Sequence, residues 1–167
     1  MELWDAYLAD GTPAGRDLVR GEPIPEGLRH LVSEVLVRHA DGDFLLMQRA
    51  FTKPSYPGLY EATAGGSVLK GETALAAAKR ELWEETGLSV KRLTPLYRVV
   101  SHDTIYCGYF GRIACDKSAV TLQGGETVGY LWLPKDDFLK FLQSEQYVPT
   151  HRERLRPELN RILMERG

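Results

Sequence analysis

The order of apolar and polar positions divides the chain into short segments of two periods. Residues 2–8, ELWDAYL, alternate as a strand does, and an Asp10-Gly11 turn and the Pro13 to Gly15 segment follow. Residues 20–27, RGEPIPEG, are rich in proline and glycine and predict an ordered loop. Arg29 to His39 reads as a strand, with Asp43 to Arg49 as its hairpin partner across Asp41-Gly42. Their apolar runs, LVSEVLV and FLLM, suit a mostly buried sheet. A loop over residues 51–58 and a short strand from Leu59 to Ala64 then deliver Gly65-Gly66 to a helix. Beyond that helix, Leu93 to Ser101 and Thr104 to Ala114 are strand-like in their aromatic and β-branched content. A Gly124-Gly125 turn precedes a strand from Thr127 to Leu133, and a short helix covers Asp136 to Gln143. A last helix starts near Pro157 and runs to about Met164. Strands around two or more helices in a non-repeating order predict an α/β (α+β) fold, a mixed sheet covered on both faces.

The helix after Gly65-Gly66 has an awkward electrostatic pattern. It spans roughly Thr73 to Thr86, with Thr73 as N-cap and Gly87 as the stop. At about 100° per residue, Glu81, Glu84 and Glu85 share one face, which Ala74 and Ala77 continue. Leu75, Ala78 and Leu82 predict a separate core-facing stripe. Like charges at this spacing repel by a few tenths of a kcal/mol per exposed pair, and anions in the last turns oppose the helix dipole by roughly 0.3–1 kcal/mol each. A divalent cation on the carboxylates would reverse both signs, and hard oxygen ligands suit Mg²⁺ or Mn²⁺. A solvated acidic face is the plain alternative.

Composition narrows the field. The chain has 167 residues, enough for one domain with a two-layer core. It is 43% hydrophobic and 26% charged, as in ordinary globular proteins, and its net charge of −2 offers no general nucleic-acid surface. No apolar run is long enough to span a membrane and the N-terminus carries no signal-peptide pattern, so a cytoplasmic location is expected. Cys107 and Cys115 have no metal-site spacing and are expected as reduced thiols.

From Gly66 the chain reads G-x5-E-x7-R-E-L-x-E-E-x-G-L, through Glu72, Arg80, Glu81, Leu82, Glu84, Glu85, Gly87 and Leu88. So many fixed positions coincide by chance on the order of once in 10⁷ chains of this length. The segment 66–88 resembles the Nudix box, and the chain is identified as a member of the Nudix hydrolase superfamily, a single domain over residues 1–167. The resemblance implies the Nudix fold, a mixed β-sheet sandwiched between α-helices. It also implies a Mg²⁺-dependent hydrolase, with Mn²⁺ as a substitute. The bond cleaved would be a phosphoanhydride, in a nucleoside diphosphate linked to a moiety X or in a related organic diphosphate.

By the same resemblance, Glu84 and Glu85 are metal ligands joined by the Gly65 carbonyl, and Glu81 ligates metal or acts as general base. Glu72 and Arg80 tie the loop to the helix, and Gly66 and Gly87 are structural. Glu126, before the 127–133 strand, is a candidate further catalytic carboxylate, and an exposed turn glutamate is its plain reading. Arg49 and Lys53 are candidates for binding substrate phosphate, and His102 for a base. The expected partner is a small diphosphate, with neither nucleic acid nor membrane, and family members are often homodimers.

The segments WDAYLADGTPAGR, RGEPIPEGLRHLV, LLMQRA and YPGLYEATAGGS extend the resemblance to the bacterial branch related to isopentenyl-diphosphate isomerase. That enzyme moves protons with a cysteine in the loop before the helix. Gly65 stands at that position here and Ser67 at that of the following histidine, while His30 matches a further metal histidine. The missing thiol argues for hydrolysis over isomerisation. A nucleotide-binding domain without activity is the third reading, and it predicts lost glutamates where none is lost.

Overall fold

The computed structural model describes residues 1–165. Near the N-terminus, β1 (Leu3–Tyr7) and β2 (Pro13–Val19) form a two-stranded antiparallel sheet of their own. The second strand absorbs residues 13–15, expected outside any strand. Its register sets Leu18 opposite Trp4, and with Ala6 they form a small separate core.

Seven strands build the main sheet: β3 (His30–His39), β4 (Phe44–Arg49), β5 (Tyr60–Glu61), β6 (Ala64–Ser67), β7 (Leu93–Val100), β8 (Thr104–Ile113) and β9 (Thr127–Leu133). Its path runs β5-β4-β3-β8-β7, with β6 paired to β3 and β9 to β4. The β3–β8 pair is parallel and the others are antiparallel, which makes the sheet mixed. β3 and β4 are registered only at Val37–Leu45 and Arg38–Phe44. Beyond that point β3 takes β6 as partner and β4 takes β5, so the sheet opens as a fork. Buried Thr63 sits in the fork, where its hydroxyl accepts from Val37 N at 2.9 Å and donates to Leu45 O at 2.7 Å. It satisfies two backbone groups that the divergence would strand. The single strand expected over residues 59–64 is therefore broken at Ala62-Thr63, and Gly65 and Gly66 lie inside β6 rather than after it.

Helix α1 (Ala74–Thr86) covers one face of the sheet; α2 (Lys135–Leu142), α3 (Pro149–Leu155) and α4 (Leu159–Met164) cover the other. Alternation along β3 sends Val35 and Val37 toward α1 and Leu36 toward the other helices, where it meets Phe44, Phe110 and Phe138. Each such burial contributes about 1.5–3 kcal/mol against exposure. The final helix, expected to start near Pro157, is preceded by α3 and a 3₁₀ turn at Arg156–Glu158. Pro157 has no N–H for an α-helical bond, so the chain tightens there before α4 begins. No helix of the described residues is long and apolar enough to cross a membrane.

The two stripes predicted for α1 are one. Its buried residues are Ala77, Ala78, Leu82, Glu85 and Thr86, while Leu75 is 38% exposed. Ala77, Ala78, Glu81, Leu82 and Glu85 follow the spacing of a single core-facing helix side. Small alanines let the helix sit close to the sheet, and Ser33 Oγ donates to Ala74 O at 2.7 Å across that contact. The buried side thus runs straight into Glu81 and Glu85. Leu75 lies within about 20° of Leu82 around the helix but in its first turn, where it is left partly exposed.

Candidate active site

Both ends of α1 are fixed by local chemistry. The Thr73 hydroxyl accepts from Ala76 N at 3.1 Å, and Gly87, left-handed at φ 68, donates its N–H to Trp83 O at 2.8 Å. Arg80 joins the helix to the preceding loop: it donates to Glu72 at 3.0 and 2.9 Å and to Ser67 O at 3.0 Å. Glu72 in turn accepts from Leu69 N at 3.1 Å. These bonds hold β6 and the C-terminal half of α1 at a fixed spacing. A Cβ at Gly66 would meet the Glu81 carboxylate, so a larger residue there would push Glu81 out of its present position.

A cleft of about 390 Å³ opens between them, lined by Gly65, Gly66 and Ser67 of β6, by Arg80, Glu81, Glu84 and Glu85 of α1, and by Lys53 and Glu126 from two loops. The structure therefore gathers the four candidate catalytic glutamates, Gly65 and Lys53, which come from three separated parts of the chain. Lys53 pairs with Glu126. Arg80 also reaches Glu81 at 2.5 Å and Glu84 at 3.2 Å. Arg49 does not join this cleft: it donates to Glu61 at 2.7 Å and to Ser55 O at 3.1 and 2.9 Å.

The carboxylates differ sharply in environment. Burial raises Glu85 well above the usual carboxylate range, and the charges of Glu61, Glu81 and Glu126 push it the same way against Lys53. Burial also raises Glu81, with Arg80 opposing. Glu72 is lowered by its bonds to Arg80. Glu85 is 8% exposed, yet none of the hydrogen bonds among the described residues ends on its carboxylate. Oxygen-only donors, mutual repulsion and a largely buried carboxylate that opens on the cleft without a hydrogen bond fit a hard divalent cation. Among the described residues, no three His, Cys, Asp or Glu side chains already converge as a ligand set. Arg80 holds Glu81 and Glu84 instead.

A second cleft of about 370 Å³ meets the first along Gly65, Gly66 and Ser67, so β6 is a wall shared by both. Its lining includes Glu34, Arg49, Tyr56, Glu61, Tyr106 and Arg154. Glu34 accepts from Tyr97 at 2.6 Å and from Arg154 Nε at 2.9 Å, and the Arg154 guanidinium lies 3.8 Å from the centre of the Tyr106 ring. Tyr56 is the one described non-glycine residue at positive φ, 48, in the loop on this cleft. Burial raises Glu61, with Arg49 opposing.

The two histidines singled out in the sequence lie elsewhere. His30 stacks on Trp4 at 4.3 Å and shares a hydrogen bond with Thr104 at 3.1 Å, and His102 is on the surface with its side chain 89% exposed. Neither lines a cleft. Glu61, Glu34 and Arg154 were not anticipated as cleft residues. A lone charge in each of two apolar strand segments, LVSEVLV and LYEATA, was the available signal for the two glutamates.

Comparison with known proteins gives the family and the fold. The NUDIX domain family model matches residues 28–156. The chain is 29% identical over 151 residues to a protein of Listeria monocytogenes described as an uncharacterized Nudix hydrolase, covering 89% of each. In fold it is similar to a crystal structure from Deinococcus radiodurans, with a TM-score of 0.76, 21% identity, and 94% and 99% of the two chains covered. The NUDIX domain of Shewanella oneidensis NrtR, solved with ADP ribose, aligns with a TM-score of 0.65 and 19% identity over 80% of this chain and 88% of that one.

Proposed function

The chain belongs to the NUDIX domain family as an enzyme of the Nudix hydrolase class, and from that premise we propose that it hydrolyses a phosphoanhydride in a Mg²⁺-dependent reaction, as one domain over residues 1–167. The observation that carries this reading is Glu85, a buried carboxylate without a protein partner among the described residues, beside Glu61, Glu81 and Glu126. Glu81, Glu84, Glu85 and the Gly65 carbonyl would hold Mg²⁺, or Mn²⁺ in its place, with Glu126 as a further carboxylate. The bound cation would supply charge neutralisation for phosphate oxygens and a more acidic water. Glu81, held between Arg80 and the β6 backbone, is the candidate to accept the proton of that water. Arg80, Glu72 and Gly66 keep loop and helix in register, and Gly87 ends the helix. Lys53 balances Glu126 until substrate phosphate arrives.

The two clefts suit a substrate of two parts. The diphosphate would occupy the carboxylate cleft, and X the second one, with Arg49 at its rim. That second lining carries Glu34, Arg49, Tyr56 and Arg154, which supports a hydrogen-bonding X such as a sugar or nucleoside over a prenyl chain. The ADP ribose bound by a NUDIX domain of similar fold makes that compound the first to try.

The N-terminal likeness to the isomerase-related branch belongs to this proposal as a relation of scaffold, and isomerisation itself is not favoured. Gly65 has no thiol. Cys107 packs against Leu31, Val68, Ala77 and Ile105, its thiol pushed up by burial, and neither cysteine lines either cleft.

The test is a product-release screen of the purified protein with Mg²⁺, Mn²⁺ or EDTA. It covers ADP-ribose, other nucleotide sugars, nucleoside triphosphates and isopentenyl diphosphate, beside Glu84→Gln. Turnover with Mg²⁺ that is abolished by EDTA and lost in the variant is expected. Equal turnover in EDTA sinks the metal, and equal turnover by the variant sinks the site.

A further inference from the structure

The carboxylate cleft has a side that the family model does not reach. Its matched residues begin at 28, but Glu2 and Arg20 also line the cleft. Both come from the N-terminal sheet, whose ends they mark: Arg20 N donates to Glu2 O at 3.0 Å.

That sheet is fastened to the segment leading into α1. Lys70 N donates to Leu3 O at 2.9 Å, Gly71 N to Asp5 Oδ2 at 2.7 Å, and the Lys70 ammonium pairs with Asp17 at 2.6 Å. On its other flank Tyr7 and Arg29 exchange backbone bonds at 2.8 and 2.9 Å, and Trp4 stacks on His30. The hairpin therefore keeps a fixed position relative to the glutamates. It is built as part of the cleft wall.

Three cations line this cleft, and two are committed. Arg80 is bound to Glu72, Glu81, Glu84 and Ser67 O, and Lys53 to Glu126. Arg20 has one side-chain partner among the described residues, Glu2 at 3.0 Å through Nη1, and its side chain is 61% exposed. Its remaining guanidinium N–H groups are available to a ligand. Glu2 is occupied on its other oxygen by Trp4 Nε1 at 2.8 Å, so it offers Arg20 a single bond where a phosphate offers a bidentate pair.

We propose that Arg20, carried by the N-terminal hairpin, binds a phosphate of the diphosphate substrate, with Glu2 holding its guanidinium in place until substrate enters. The inference rests on the phosphoanhydride reading of the same cleft. It gives the hairpin a role in substrate binding and makes Arg20 a determinant of affinity rather than of the chemical step.

The experiment is a calorimetric titration of inorganic pyrophosphate in Mg²⁺ into the full chain and its Arg20→Ala, Arg20→Lys and Glu2→Gln variants, with KM and kcat for ADP-ribose measured alongside. A charge-assisted bond at a half-open site predicts that Arg20→Ala weakens pyrophosphate binding and raises KM about tenfold, with kcat nearly kept. Arg20→Lys should recover part of the loss. Glu2→Gln removes the competitor and should tighten binding, the opposite sign. Equal affinity in wild type and Arg20→Ala overturns the proposal, as does Glu2→Gln acting in the same direction as Arg20→Ala. The latter would mean the pair merely braces the hairpin. Absence of hydrolysis of every compound in the screen above, with Arg20-dependent pyrophosphate binding, sinks the hydrolase reading alone. Hydrolysis with an unchanged KM in Arg20→Ala sinks this one alone.

Discussion

Glu34 and Glu85 are the two acidic residues of the described chain that are almost fully buried, each 8% exposed, and they lie on opposite faces of the sheet. Glu34 on β3 points toward α3, where Arg154 and Tyr97 bond it. Burial alone would raise its carboxyl, but neighbouring His151, the Arg154 guanidinium and the Tyr97 hydroxyl outweigh that and hold it low. Glu85 on α1 has the same exposure, three acidic neighbours and no such partners, and its carboxyl is pushed up. A buried carboxylate that is fully bonded is held as a fixed part of its cleft wall, whereas one left without a hydrogen bond marks a place kept for something else. The contrast separates a preset polar wall from an open ligand position.

Replacing Glu85 should have the largest effect and break the comparison from the functional side. Glu85→Gln is expected to lower kcat on the order of 10³-fold, the scale for losing a group that stabilises transition-state charge. In EDTA the same variant should melt higher than wild type at pH 8, because an unpartnered buried charge has been removed. A lower melting temperature there would show that Glu85 has a stabilising partner.

Arg154→Ala tests the other face. It leaves Glu34 uncompensated and should cost about 4 kcal/mol in denaturant unfolding, while the Glu34→Gln/Arg154→Met pair recovers most of that. A loss smaller in the single variant than in the double would remove the distinction drawn here.

The pH dependence of stability sharpens the same region. Burial holds His151 down to about 4, neutral and in hydrogen-bond contact with Tyr147. A base whose folded pKa is depressed stabilises the fold above its unfolded pKa near 6.5. That contribution is lost as pH falls from there toward about 4, at most about 3 kcal/mol in total. His151→Gln should flatten the stability profile between those pH values, as read by melting temperature.

The smallest expected change concerns α1 itself. Leu75→Glu should alter stability by less than about 0.5 kcal/mol, since the side chain is exposed and the new charge lies near the helix N-terminus. A large loss would restore the predicted leucine stripe.

The box was readable because helical spacing is local. Thr73, Gly87 and the glutamates lie within 15 residues of one another, so their placement needed only the period of a helix. The same reading placed Ala78 and Leu82 in the core, as found, but added Leu75 and left Ala77 and Glu85 on a separate face. Alanines carry weak hydrophobic signals, and Leu75 looks like core until the sheet is present to choose Ala77 and Ala78. Lys53 and Glu126 were named as candidates, but their pairing depends on loops 73 residues apart. Arg49, equally basic and only four residues from Lys53, was drawn instead to Glu61 by the strand that fills the fork.

The sequence by itself determined a mixed sheet between helices, the Nudix hydrolase class and a helix whose acidic end calls for a cation. These rest on periodicity, caps and a contiguous motif, all set by short-range stereochemistry. Tertiary structure alone decided which carboxylates are bonded and which are left open. Glu34 meets Arg154 across 120 residues, and Arg20 reaches the cleft only because a hairpin is fastened to the loop before α1. Partnership between distant charges is a property of the folded chain, because no local rule fixes where a side chain from another element will stand.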